Sequence, residues 1–176
     1  HMAARTDLDG SDLDAYKVNT KGLSNLIFAL NTLVDIEMVV FASSMLVCKL
    51  GYVPKNEGDY CPDTVYGESK VLGEELIRGK ALTFPWAIVR PTSIWGPWFA
   101  TPYRDFFITV KKNFYVHPKG FRVRRSYGFI YNVVYQLDCI SKLINDDLIG
   151  ETFYLADYTP IELKSWADKI QKSVNA

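Results

Sequence analysis

The chain has 176 residues, 48% of them hydrophobic and 23% charged, and its twenty basic and twenty acidic side chains cancel to a formal net charge of zero. That is enough chain for a sizeable core in the composition range of soluble globular proteins, and the charge balance argues against a nucleic-acid or anionic-membrane partner held by bulk electrostatics. No apolar run approaches the ~20 residues that a bilayer span needs, and no cationic-then-apolar start marks a secretory signal.

Cys48, Cys61 and Cys139 are odd in number and well separated, with no Cys-x-x-Cys, which reads as unpaired thiols in a reducing, cytoplasmic compartment. His1 and His117 are the only histidines. A histidine-based metal centre is therefore not expected, and no Gly-x-Ser-x-Gly elbow accompanies a Ser-His-Asp hydrolase reading.

In chain order, a helix is expected from about Asp12. Leu23, Leu26, Ile27, Leu30, Leu33 and Val34 form its apolar stripe. Asn19 lies within it, either offering a polar group to a site or simply solvated or bonded to backbone. Met38–Ala42 reads as a strand buried on both faces and ends in Ser43-Ser44. Hydroxyls there stand where open α/β sheets gather ligands, although serines after a strand also serve as turn residues. Gly51–Cys61 reads as a loop.

Asp63 or Thr64 then caps a helix ending near Arg78 and Gly79. Gly67 and Gly73 inside it each cost about 1 kcal/mol relative to Ala, which close approach of another backbone or a ligand would explain. Tyr66 and Lys70 sit four residues apart on one face of this helix. A fixed cation favours the phenolate of tyrosine, so such a pair can move a proton to or from a substrate hydroxyl. The spacing alone is weak, because eleven tyrosines and thirteen lysines in 176 residues give 11 × 13/176, about 0.8 chance matches. A second match, Tyr115 to Lys119, contains Pro118, which forces His117 out of the helical region.

Trp86–Arg90 is a second buried strand, and helix, strand, helix, strand is the order of an α/β fold with a parallel sheet. Residues 95 to 135 hold 13 of the 25 aromatic side chains, and Lys111 to Arg125 holds six basic residues and no acid. Aromatic walls beside a basic patch suit a substrate with a ring and phosphates; a small aromatic core with a solvated basic edge is the other reading. Glu151–Ala156 is a strand candidate, and Thr159-Pro160-Ile161-Glu162 reads as a capping box. The helix that follows would bury Leu163, Trp166, Ile170 and Val174.

Six segments in this order resemble the extended short-chain dehydrogenase/reductase family, in its NAD-dependent epimerase/dehydratase branch. They are His1-Met-Ala-Ala4, Tyr16-Lys-Val-Asn-Thr-Lys-Gly22, Phe41-Ala-Ser-Ser44, Tyr66-Gly-Glu-Ser-Lys70, Arg90-Pro-Thr-Ser-Ile-Trp-Gly-Pro97 and Arg125-Ser-Tyr-Gly-Phe-Ile-Tyr-Asn132. The resemblance implies a partial Rossmann-like doubly wound parallel sheet with a small C-terminal substrate-binding region. Residues 1–97 would be the dinucleotide-binding part, 98–150 mainly the substrate side, and 151–176 a returning strand and helix. It implies Tyr66 as general acid/base, Lys70 as its cationic partner on the nicotinamide ribose, and Ser44 on the reacting sugar oxygen. Ala3, Asn19, Ser43, Pro91 and Ser93 would line NAD, with NADP left open, and Arg125 would grip the diphosphate of a nucleotide sugar. A homodimer is implied for the complete enzyme.

The departures are equally specific. No Gly-x-Gly-x-x-Gly or Gly-x-x-Gly-x-x-Gly phosphate loop occurs, so the first βα units of the family, at least ~60 residues, are expected to lie outside this chain. Ser93 stands where many of the family's nucleotide-sugar enzymes carry Asn, and Ser126 and Asn132 where they carry Asp. The isolated chain is expected to bind NAD weakly or not at all, and residues beside Phe41 and Val89 are expected to be exposed. A reductase or dehydrogenase of a less polar alcohol or carbonyl, or a non-catalytic fragment, are the alternatives on the same fold.

Overall fold

Strand β1 (Val39–Ala42) runs parallel to β2 (Trp86–Pro91), with Val39 opposite Trp86 and Ala42 opposite Val89. The computed structural model describes residues 1–142, 148–157 and 159–174. A third strand, β6 (Thr152–Leu155), follows β2 in the sheet order β1-β2-β6. On the free edge of β1, the His1 amino group donates to Val40 O at 2.7 Å and Ala42 N donates to His1 O at 3.0 Å. Parallel β-branched strands joined through helices are the α/β architecture expected.

The first helical region differs from the single helix predicted. It is a 3₁₀ turn (Leu13–Tyr16), then a π turn (Val18–Gly22), then helix α1 (Leu23–Leu30). Asp12 caps the first turn by accepting from Ala15 N. Because α1 stops at Leu30, Leu33 and Val34 fall outside the stripe and are exposed. Leu23 and Ile27 remain on it and pack with Phe41, Ile77, Phe84 and Ile88 in the core. Of the residues expected to be exposed, those beside Phe41 (Val40 and Ala42) are half-buried, whereas those beside Val89 (Ile88 and Arg90) are buried.

Helix α2 (Val65–Gly79) begins where expected: the Thr64 side chain accepts from Gly67 N at 3.0 Å. Both internal glycines mark close approaches. A Cβ on Gly67 would lie 2.3 Å from Leu46 O, and one on Gly73 would lie 3.2 Å from Leu23 Cδ2. The glycines thus let α2 lie against the segment after β1 and against α1.

The chain forms two compact units, His1–Pro91 with Leu137–Tyr154, and Thr92–Gln136 with Leu155–Ala176. In the second, β3 (Ser93–Trp95) pairs parallel with β5 (Tyr127–Phe129), and β4 (Arg124–Arg125) pairs antiparallel with β7 (Ile161–Glu162). Helices α3 (Tyr103–Lys111) and α5 (Leu163–Val174) pack on each other; α4 (Ile130–Ser141) links this unit back to the first. The Thr159 capping box does not form: Ile161 and Glu162 pair with the Arg124–Arg125 strand, so α5 starts at Leu163. Its buried positions are Trp166 and Ala167, whereas Val174 is exposed. Trp166 contacts the rings of Trp95, Phe106, Phe107 and Tyr127, with centroids 4.7–5.5 Å apart.

Candidate active site

In the first unit, Tyr66 and Lys70 lie one turn apart on α2, and both are 8% exposed. The Lys70 ammonium is 5.8 Å from the Tyr66 ring centroid and donates to Ala42 O, at the end of β1, at 2.9 Å. Ser44, two residues beyond, is buried, and its hydroxyl acts on the Tyr66 phenol in the direction that favours the phenolate. The Ser44 oxygen also accepts from Leu46 N at 3.1 Å, which caps a short 3₁₀ turn (Met45–Val47). Strand end and helix face therefore bring together the three residues singled out for chemistry.

Electrostatics add a correction. Lys70 was expected to draw the tyrosine pKa down, but burial pushes Tyr66 above its usual value, with only the Ser44 hydroxyl working the other way. Burial also lowers Lys70 to about 8, while the negative charge of Glu74 acts to raise it. The ammonium spends one of its three donors on Ala42 O.

A small open hollow is lined by Ala3, Asn19, Ser43, Lys70, Gly73 and Glu74 among others. Four of the residues expected along the cofactor thus share one hollow. Of the others, Tyr66 stands beside Lys70, Pro91 closes β2, and Ser93 and Arg125 belong to the second unit. Asn19 is bonded rather than free. Its oxygen accepts from Arg5 N at 2.8 Å, and its amide donates to Arg5 O at 2.9 Å and Ser69 Oγ at 3.0 Å. The Ser43 hydroxyl is likewise spent, donating to Glu74 Oε1 at 2.5 Å. Buried Ser93 pairs in register with Tyr127, and Arg125 makes no ion pair among the described residues, with no hydrogen-bond partner there for its Nε.

Sequence reasoning missed the acceptor that organises this unit. Glu74, one turn beyond Lys70, is 1% exposed and forms a two-point ion pair with Arg90, at 2.9 Å from Nε and 2.7 Å from Nη2. Tyr60 OH donates to its second oxygen at 3.0 Å. Arg90, also 1% exposed, donates further to Tyr154 OH at 3.0 Å and Glu57 O at 2.6 Å, between the rings of Tyr60 and Tyr154. The available signal was an arginine ending the apolar run Trp86-Ala-Ile-Val, since a buried charge needs a partner.

The parallel sheet, the capped helix and the Tyr66–Lys70 pair at the strand's carboxyl end define a Rossmann-like α/β protein. By its match over residues 1–152 the chain belongs to the NAD-binding family described as male sterility protein. No curated protein matches it. Among solved structures, a UDP-glucuronic acid 4-epimerase from Bacillus cereus, in complex with UDP-glucuronic acid and NAD, is 17% identical with a TM-score of 0.79, covering 100% of this chain and 59% of its own. A short-chain dehydrogenase/reductase superfamily protein from Agrobacterium tumefaciens with bound NAD is 21% identical at a TM-score of 0.76, covering 99% and 64%. An NAD-dependent NDP-hexosamine 5,6-dehydratase of tunicamycin biosynthesis is 19% identical at 0.76, covering 99% and 60%. The chain thus spans about three-fifths of the length of these structures. No helix among the described residues is long and apolar enough to cross a membrane.

Proposed function

We propose that this chain carries the proton-handling centre of an NAD-dependent oxidoreductase of the epimerase/dehydratase kind, acting on a nucleotide-linked sugar. The observation that carries the reading is the convergence of Tyr66, Ser44 and Lys70 at the carboxyl end of β1. Residues 1–97 then serve the dinucleotide, 98–150 mainly the substrate, and 151–176 form a returning strand and helix. NAD, when bound, would exchange a hydride with the sugar carbon. Tyr66 holds and releases the hydroxyl proton, and Ser44 orients the same oxygen. Lys70 offers its remaining donors to the ribose, Ala3, Asn19, Ser43, Pro91 and Ser93 shape the cofactor side, and Arg125 meets the diphosphate.

Tyr66 is raised by burial, so it rests as the neutral phenol, the form that donates a proton. Abstraction requires added positive charge beside it, which Lys70 supplies while it is protonated. In the complete enzyme, Tyr66→Phe is expected to lower turnover at least ~100-fold while NAD affinity changes little. Turnover within a few-fold of wild type would remove Tyr66 from this role.

A second reading, reduction of a less polar carbonyl, is favoured by the ring cluster about Trp166 and by a family match that names no sugar enzyme. Thermal protection separates the two: nucleotide sugars raise the melting temperature under the first reading, apolar carbonyls under the second. Protection by neither class, with no NAD binding, would leave a non-catalytic role. The homodimer proposed for the complete enzyme is tested by sedimentation.

A further inference from the structure

Cys48 and Cys61 are thirteen positions apart in sequence, yet they are direct parallel partners in the fold. Cys61 N donates to Val47 O at 3.0 Å, and Lys49 N donates to Cys61 O at 2.7 Å, the two bonds that flank such a pair. Parallel partners lie about 4.8 Å apart with side chains on the same face, and a disulfide spans Cα separations of about 4.4–6.8 Å. Both partners lie by the loop residue Asp59, whose carboxylate accepts from the Tyr52 phenol at 2.7 Å. Cys48 Sγ donates to Asp59 O at 3.4 Å, a weak bond to give up. No group of three or more metal-holding side chains occurs among the described residues, so the cluster has the makings of a dithiol and not of a metal centre.

We propose that Cys48 and Cys61 form a dithiol site that reacts with low-molecular-weight disulfides, such as oxidised glutathione, to close a disulfide across the segment Lys49–Tyr60. Cys61 is partly exposed and Cys48 is buried. The Cys61 thiolate therefore attacks the small disulfide first, forming a mixed disulfide and releasing one glutathione thiolate. The Cys48 thiolate then attacks the Cys61 sulfur and releases the second glutathione. Two protein thiols lose two protons and two electrons, and the small disulfide takes up both.

The position gives the bond a consequence. Cys48 ends the turn that Ser44 caps, and Cys61 enters the stretch that leads into α2. The intervening loop supplies Tyr60 to Glu74 and Glu57 O to Arg90. Closure therefore fixes the Ser44 segment to the start of the Tyr66 helix and holds the loop against the buried ion pair.

The test is treatment of the native 176-residue chain with oxidised glutathione, acid quenching, and peptide mapping by mass spectrometry, beside the same reaction in concentrated urea. The expected product is a Cys48–Cys61 cross-link, with exposed Cys139 carrying glutathione, formed roughly tenfold or more faster without urea. Cys139→Ser should leave that rate unchanged, and the cross-linked chain should be cleaved within residues 49–60 several-fold more slowly by a protease. Separate glutathione adducts on Cys48 and Cys61, predominant links to Cys139, or equal rates with and without urea would each overturn the proposal. The reading of Tyr66 as a catalytic residue is untouched by any of these outcomes.

Discussion

The two units bury different chemistry. The first encloses a carboxylate, a guanidinium, an ammonium and several hydroxyls around α2, and Glu74 has both oxygens engaged. The second encloses rings about Trp166, and there Trp95 Nε1, Arg125 Nε and Gln136 Oε1 lack partners among the described residues, against Arg78 Nε alone in the first. A polar interior is directional and holds its groups in one arrangement, whereas stacked rings tolerate several. Fixed geometry is what proton transfer requires, and adaptable apolar walls are what a substrate pocket can use.

The sharpest break of this contrast is Arg90→Met, which leaves the Glu74 carboxyl with the Ser43 and Tyr60 hydroxyls and only the longer, 3.9 Å contact to Arg78. Removal of one member of a buried pair costs about 3–5 kcal/mol, and the upper end is expected because Arg90 also bonds Tyr154 and Glu57. Urea unfolding measures it, and a loss under about 1 kcal/mol would mean that water reaches Glu74. The double variant Glu74→Leu/Arg90→Met should recover much of the loss. In the second unit, Trp166→Ala should cost about 3 kcal/mol, the low end for a buried aromatic, since adjacent rings can settle into the space. A larger penalty than for Arg90→Met would reverse the contrast between a rigid polar interior and a yielding aromatic one.

A pH experiment probes the polar unit alone. The Lys70 pKa falls from 10.5 unfolded to about 8 folded, so its charge disfavours folding. That cost is fully present below pH 8 and is relieved as pH rises towards 10.5, where the unfolded chain binds a proton the folded one does not. Stability of wild type relative to Lys70→Met should therefore rise between pH 8 and 10, by at most about 3 kcal/mol. Glu74 acts to keep the ammonium, and raised Tyr66 contributes with opposite sign only above pH about 10. A flat difference would show that Lys70 titrates as if in water.

These contrasts also explain what could be read from the sequence. Strands β1 and β2 and helix α2 follow from local patterns: apolar β-branched runs, a Thr64 cap and glycines at close approaches. Tyr66, Lys70 and Ser44 were placed from motif order, and the fold puts them together. What escaped depends on distant partners. Ile161 and Glu162 have a capping-box signature, but pairing with Arg124 and Arg125 claims their backbone. Glu74 looks like one more helix-surface acid until Arg90, sixteen residues on, turns it inward. The Cys48–Cys61 pairing likewise exists only once the loop between them folds back.

The smallest effect tests the local half of that argument. Thr64 is half-buried, and its side chain contributes the bond it accepts from Gly67 N. Thr64→Ala should cost about 1 kcal/mol, and Thr64→Ser or Thr64→Asp only a few tenths. The same Gly67 is the residue whose Cα lies against Leu46, inside the turn that Ser44 opens. If the cap merely terminates a helix, unfolding free energy falls and hydrogen exchange at Tyr66 and Gly67 rises in proportion. If it also sets the distance between Ser44 and Tyr66, the Tyr66 ring resonances shift in the alanine variant and return in the aspartate one. Unchanged resonances with the full stability loss would confine Thr64 to capping and leave the spacing of the site to the glycine contact alone.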